Sequence, residues 1–137
     1  DEISIMKNRL ETDKRDIQVE CVLNEGDIKE IKDKVASIYV DDSIYEYVAK
    51  IVAKTRVREN IIQGVSPRGS IALIAMAKAE AFLRGNEYVL PSDIKNIVIE
   101  TFAHRVVTNV AGAAGNEMAK KEIKDILRTV PVPKIGE

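Results

Sequence analysis

Arg68 has the setting in this 137-residue chain that most plainly suggests chemistry. It lies within Gly64-Val65-Ser66-Pro67-Arg68-Gly69-Ser70, which leads into an alanine-rich apolar run. Ser66 suits a helix N-cap, and Pro67 suits the first helical position, where a missing N–H costs nothing. Arg68 then falls at the second position, beside unpaired backbone amides at the positive end of the helix dipole. Such an end attracts anions, and a guanidinium beside it grips a phosphate through two hydrogen bonds. Gly64 and Gly69 also have the spacing that opens a phosphate-binding loop. The match then fails, because Ser70 stands where the essential lysine belongs and Pro67 removes an amide that a cradle would use. The segment reads as a phosphate-sensing helix start, not a nucleotide cradle.

Other chemistry-bearing residues are sparse. His104 is the only histidine, and with Ser66 or Ser70 it supplies the residue types of a base and a nucleophile. One histidine meets serines by chance in most sequences, so hydrogen bonding or packing near a helix end is expected of it. Cys21 is the only cysteine, which rules out an intramolecular disulfide and fits a cytosolic setting. Cys21 and His104 together are too few ligands for structural zinc, so Cys21 is expected as a small buried apolar residue. Ile38-Tyr39-Val40-Asp41-Asp42 imitates an apolar strand followed by a magnesium-binding acid, yet with no phosphate loop before it a helix cap is expected. Arg56, Arg58, Lys78 and Arg84 are expected on a solvated face, with Arg56 the best second candidate for facing a phosphate.

The elements that must position these residues are mostly helical. Residues 1–12, with Ile3, Met6 and Leu10 at helical spacing, predict a short amphipathic helix. Ile17, Val19, Cys21 and Leu23 alternate with polar residues and predict an extended segment. Asn24 caps a second predicted helix with Ile28, Ile31 and Val35 as its buried stripe. Asp41 or Asp42 caps a third that bears Ile44, Val48, Ile51, Val52 and Thr55, and residues 57–65 read as a loop. The fourth predicted helix runs from Pro67 to Arg84 and stops at Gly85, a left-handed C-cap. Its apolar residues lie nearly all round, which predicts packing on several sides. Tyr88-Val89-Leu90 reads as a short extended piece. A fifth helix opens near Pro91-Ser92-Asp93 and reaches toward Val110. Gly112-Ala113-Ala114-Gly115 reads as a flexible break before a last helix from Asn116 to Arg128, which Pro131 and Pro133 end.

Composition agrees with an all-α helical bundle carrying two or three short extended segments. Aromatics are 4% with no tryptophan, whereas 45% of residues are hydrophobic, which disfavours a β-sandwich and global disorder. The 21 basic and 22 acidic residues are interleaved, so no strongly basic nucleic-acid footprint exists. No apolar run approaches the roughly 20 residues of a membrane span.

Several ordered motifs add a resemblance. The run from Gly64 to Ser70, Ala77-Lys78-Ala79-Glu80-Ala81, Arg84-Gly85-Asn86-Glu87-Tyr88-Val89, Pro91-Ser92-Asp93-Ile94-Lys95, His104-Arg105 and Val130-Pro131-Val132-Pro133 occur in sequence. Together they resemble the C-terminal lid of MoxR-type AAA+ ATPases across residues 38–133. Leu90 replaces the usual capping Thr or Ser, so the fifth helix is expected to open near Ser92. Gly69 replaces a more usual alanine, which loosens the first turn by up to about 1 kcal/mol.

The resemblance implies residues 1–24 as a segment from an ATPase core, residues 25–133 as the lid, and 134–137 as a tail. It implies a parent protein that binds ATP and Mg2+ in that core and hydrolyses ATP to remodel or activate a protein partner. Arg68 would be its second sensor, with Ser66 and Arg56 as weaker candidates, and no catalytic or metal residue would lie in this chain. It further implies neighbouring subunits in a hexameric ring, a partner with a von Willebrand factor A domain, and a cytoplasmic location. The rival reading is a stand-alone helical protein-interaction module without nucleotide binding.

Overall fold

The computed structural model describes residues 1–11 and 20–134, and the chain is all-α apart from one small sheet. Among the described residues the helices are α1 (Glu2–Glu11), α2 (Glu25–Ser37), α3 (Asp42–Thr55), α4 (Pro67–Leu83), α5 (Pro91–Phe102) and α6 (Gly112–Thr129). A 3-10 turn, Ala103–Arg105, follows α5. The strands β1 (Ile61–Gln63) and β2 (Val107–Thr108) pair antiparallel with an irregular register. Among the described residues, no helix is long and apolar enough to cross a membrane.

The caps are set by local chemistry. Asn24 Oδ1 accepts from the Asp27 amide while Asp27 Oδ2 accepts from the Asn24 amide, a reciprocal box that starts α2. Asp41 starts α3 by accepting from the Ser43 amide and hydroxyl. The apolar-plus-acid imitation at 38–42 is therefore a helix cap, as its sequence context suggests. Leu90 has no polar side chain, yet α5 opens at Pro91 because Asp93 Oδ2 reaches back to the Leu90 amide at 2.8 Å. The carboxylate three residues on replaces the missing hydroxyl and moves the start one residue earlier than expected.

Helices α3, α4, α5 and α6 enclose one core. Ile44, Tyr47, Val48 and Ile51 of α3 meet Leu73 of α4, Ile94, Val98 and Phe102 of α5, and Ile123 and Ile126 of α6. Each such large apolar side chain contributes about 1.5–3 kcal/mol by burial. On α4 the buried residues are Gly69, Leu73, Ala77 and Ala81, four apart and mostly small. That stripe lets α5 lie close, and the two helices run antiparallel around Gly85, whose φ of 74° supplies the expected left-handed stop.

Helix α4 packs on several sides as expected, against α2, α3 and α5, and leaves Ile71, Met76 and Leu83 exposed. Other expectations need correction. Helix α2 buries no residue, Ile28 being 40% exposed, because the helix lies against α4 at the edge of the bundle. Lys78 Nζ donates to the Ala36 carbonyl at 2.8 Å and fastens its C-terminal end there. Cys21 is exposed and lies in an irregular stretch with Val22 and Leu23, with no core near it to bury it. The rest of the alternating segment, including Ile17 and Val19, lies outside the described residues. Helix α5 ends at Phe102 rather than near Val110, since residues 107–108 pair with β1. The Gly112–Gly115 stretch is not a break but the first turn of α6.

Candidate functional site

The start of α4 is wedged between the ends of α3 and α5. Thr55, buried at the end of α3, donates its hydroxyl to the Val52 carbonyl at 2.7 Å and accepts from the Val65 amide at 3.0 Å. Arg56 takes the other polar group of the same residue: its Nε and Nη2 donate to the Val65 carbonyl at 3.3 and 3.2 Å. Both polar groups of Val65 are thereby fixed, and its side chain is buried. Gly64 permits the approach, because a Cβ there would lie 2.8 Å from both Thr55 Oγ1 and Arg56 Cγ. Thr55 and Arg56 thus act as a clamp ten and nine residues away in sequence from the backbone they hold.

Gly69 is the second close approach. A Cβ on it would collide with Val65 Cγ1 and lie 3.5 Å from Arg105 Cδ and 3.8 Å from Phe102 Cε1. The glycine also lets this helix start pack closely, beside the looser first turn expected from its replacing alanine. Arg105 lies beside it, in the 3-10 turn, with Nε donating to the Thr101 carbonyl at 2.9 Å. Sequence reasoning assigned Arg105 no role. Its only signal was a place after His104 in an ordered motif.

The end of this wedged segment faces outward. Ser66, Pro67 and Arg68 are exposed, and among the described residues Arg68 has neither an ion pair nor a side-chain hydrogen bond. Ser66 occupies the N-cap position, but its hydroxyl makes no capping bond; its carbonyl accepts from the Gly69 amide at 2.8 Å and the Ser70 amide at 3.4 Å. An uncapped first turn keeps its positive end available, with a free guanidinium at the second position.

The other basic candidates are committed elsewhere. Arg58 Nε lies 3.2 Å from the mostly buried Glu122 Oε2, a charge contact without hydrogen-bond alignment, while Asn60 Nδ2 donates to Glu122 Oε1 at 2.7 Å. Together they tie the segment before β1 to α6. Arg84 bonds Glu80 Oε1 at 3.0 Å and lies 3.8 Å from Asp93 Oδ1. His104 Nδ1 is 3.1 Å from the Glu100 carbonyl, a local bond at the end of α5 of the kind expected of it. No three His, Cys, Asp or Glu side chains among the described residues form a metal-binding group.

The geometry therefore offers one outward cation at a fixed, uncapped helix start, and comparison with known proteins places the chain in a family. The AAA lid domain family matches residues 53–128, which include the clamp, all of α4 and α5, and most of α6. The chain belongs to this family. Among curated relatives of this AAA lid, the uncharacterized protein YeaC of Bacillus subtilis is 36% identical over 84% of the chain and 36% of its own length. Chaperone MoxR1 of Mycobacterium tuberculosis is 28% identical over 87% of the chain and 34% of its own length. A solved structure of a candidate ATPase from Cytophaga hutchinsonii superposes with a TM-score of 0.77 at 28% identity, over 97% of this chain and 43% of that one. The AAA lid thus spans about a third of the length of the curated relatives it matches. The MoxR-type resemblance and the helical lid architecture both hold.

Proposed function

We propose that this lid senses nucleotide for an AAA+ ATPase, with Arg68 as its second-sensor arginine. The observation that carries the reading is the exposed, unpaired guanidinium in the first turn of α4, on a backbone held by Thr55 and Arg56. Arg68 adds positive charge beside the terminal phosphate of an ATP bound by a preceding core, through residues 1–24 as the link. Arg68 loses that contact when the phosphate leaves, and the lid is free to move. Arg56 supports the role by positioning, and Ser66 by leaving its amides uncapped. Mg2+ would be held with the nucleotide by the core in this reading.

The whole protein would hydrolyse ATP and use lid motion, passed to neighbouring subunits of a hexameric ring in the cytoplasm, to remodel or activate a protein partner. A von Willebrand factor A domain is the partner class the MoxR resemblance suggests. The family match favours this lid role over a stand-alone interaction module. In the full-length protein, Arg68→Ala should lower ATP turnover about a hundredfold while the thermal midpoint stays put, as expected for a lost charge contact in the transition state. Unchanged turnover would remove the sensor assignment. The chain alone should show no turnover with ATP and Mg2+, and measurable hydrolysis would overturn the lid reading.

A further inference from the structure

Away from Arg68, two short extended stretches meet on the surface. Ile38 and Val40 are buried while Tyr39 between them is 62% exposed; Val89 is buried while Tyr88 beside it is 47% exposed. The Tyr39 amide donates to the Glu87 carbonyl and the Val89 amide to the Tyr39 carbonyl, both at 2.9 Å, which pairs Tyr39 with Tyr88 in parallel. Paired positions share a face, so the alternation that buries the aliphatic residues turns both rings outward. The bridge is made by backbone and does not need aromatic side chains.

The two rings line an open cavity of about 360 Å3 with Asp41, Glu87 and Val89. Asp41 uses its carboxylate on Ser43, whose hydroxyl and amide hold it below the usual carboxylate range and keep it ionised at neutral pH. Among the described residues neither Asp41 nor Glu87 has a cationic partner. Two π faces and two carboxylates without cationic partners around one hollow match a positive group with flat or apolar surroundings, and repel an acidic one.

We infer that the Tyr39–Tyr88 hollow is a docking site for a lysine or arginine side chain presented by a basic segment of a protein partner. The ring faces would stack on the cation and the carboxylates would neutralise it at the rim. The site lies on the joint between the segment before α3 and the segment before α5, so it is independent of the Arg68 reading.

The test is a titration of the chain with a short arginine-rich peptide and with a matched peptide carrying glutamate instead. Backbone amide NMR shifts report the position, and tyrosine fluorescence is readable because the chain has no tryptophan. The expected result is binding of the arginine peptide alone, with shifts confined to residues 39–42 and 86–89. The double variant Tyr39→Ala with Tyr88→Ala should weaken it about tenfold, and Tyr39→Phe with Tyr88→Phe should retain it, since the π faces survive. Circular dichroism checks that each variant stays folded, and if the alanine pair unfolds, Glu87→Gln provides the milder weakening. Equal binding of both peptides, shifts centred elsewhere in the chain, or unaltered binding by the folded variants would overturn the inference.

Discussion

Two helix starts in this molecule look alike in sequence and differ in what they present to solvent. Helices α4 and α6 both open without a side-chain capping bond, at Ser66 and Ala111, and both carry a glycine in the first turn where the chain packs tightly. At α4 the neighbour of Gly69 is a valine methyl, and the turn presents Arg68 to solvent. At α6 the neighbour of Gly115 is the Val110 backbone carbonyl, the Gly115 carbonyl receives the Thr108 hydroxyl at 3.3 Å, and the first turn carries no charge. One start is locked so that a cation can project from it; the other is locked and presents nothing. What sets the α4 start apart is the guanidinium and the clamp behind it.

The sharpest way to break that contrast is at the two glycines. Gly115→Ala should cost about 2–3 kcal/mol, because a peptide carbonyl fixed in a turn cannot move aside, and calorimetric melting would show it. Turnover in the full-length protein should survive Gly115→Ala at temperatures where the lid is folded. Next comes the clamp: Thr55→Val deprives the Val65 amide of its acceptor and should cost about 1–2 kcal/mol. Unlike Gly115→Ala, it should also lower turnover in the full-length protein, by freeing the backbone before Arg68. If the two variants affect turnover equally, the two helix starts are not functionally different.

Gly69→Ala is expected to cost less than Gly115→Ala, about 1 kcal/mol or under, since the Val65 side chain can rotate and alanine regains helix propensity. The smallest effect is at Tyr47, whose hydroxyl is buried without a hydrogen-bond partner. Tyr47→Phe should leave the neutral-pH midpoint within about 0.5 kcal/mol of the parent or raise it. Burial raises the Tyr47 hydroxyl above its ordinary 10.0, so the folded state holds that proton more tightly than the unfolded one. Its contribution is intact below pH 10.0 and is lost as pH rises through the raised value, so Tyr47→Phe should blunt alkaline unfolding followed by circular dichroism.

Much of the frame was legible in the residues. The α3 stripe from Ile44 to Thr55, the Asp41 cap, the Pro67 start and the Gly85 stop are all short-range signals, and all are found in place. The misreadings share a cause: they depend on packing that the local pattern does not show. A strand of three residues paired with one of two has no periodicity to detect, so the β1–β2 contact that ends α5 early was invisible. The α2 stripe has helical spacing, but spacing cannot tell that the helix lies at the edge of the bundle. The Gly112–Gly115 run reads as a breaker until Val110 and Thr108 are found pressed against it. The candidate site divides the same way. Arg68 was legible from its helix position, whereas the Thr55 and Arg56 clamp and the flanking Arg105 needed the fold.

Helix α4 has a mechanical consequence. Its 17 residues form a rod about 25 Å long, with Arg68 at one end and, just past the other, the turn that carries Tyr88. A rod fastened at its origin acts as a pointer. A tilt of about 10° at the Arg68 end would sweep the far end through about 4 Å, given that length. Because α4 is packed into the bundle, that sweep would be of the whole lid: on the proposed sensor reading, a small pivot at Arg68 would arrive at the tyrosine pair as a displacement larger than a hydrogen bond.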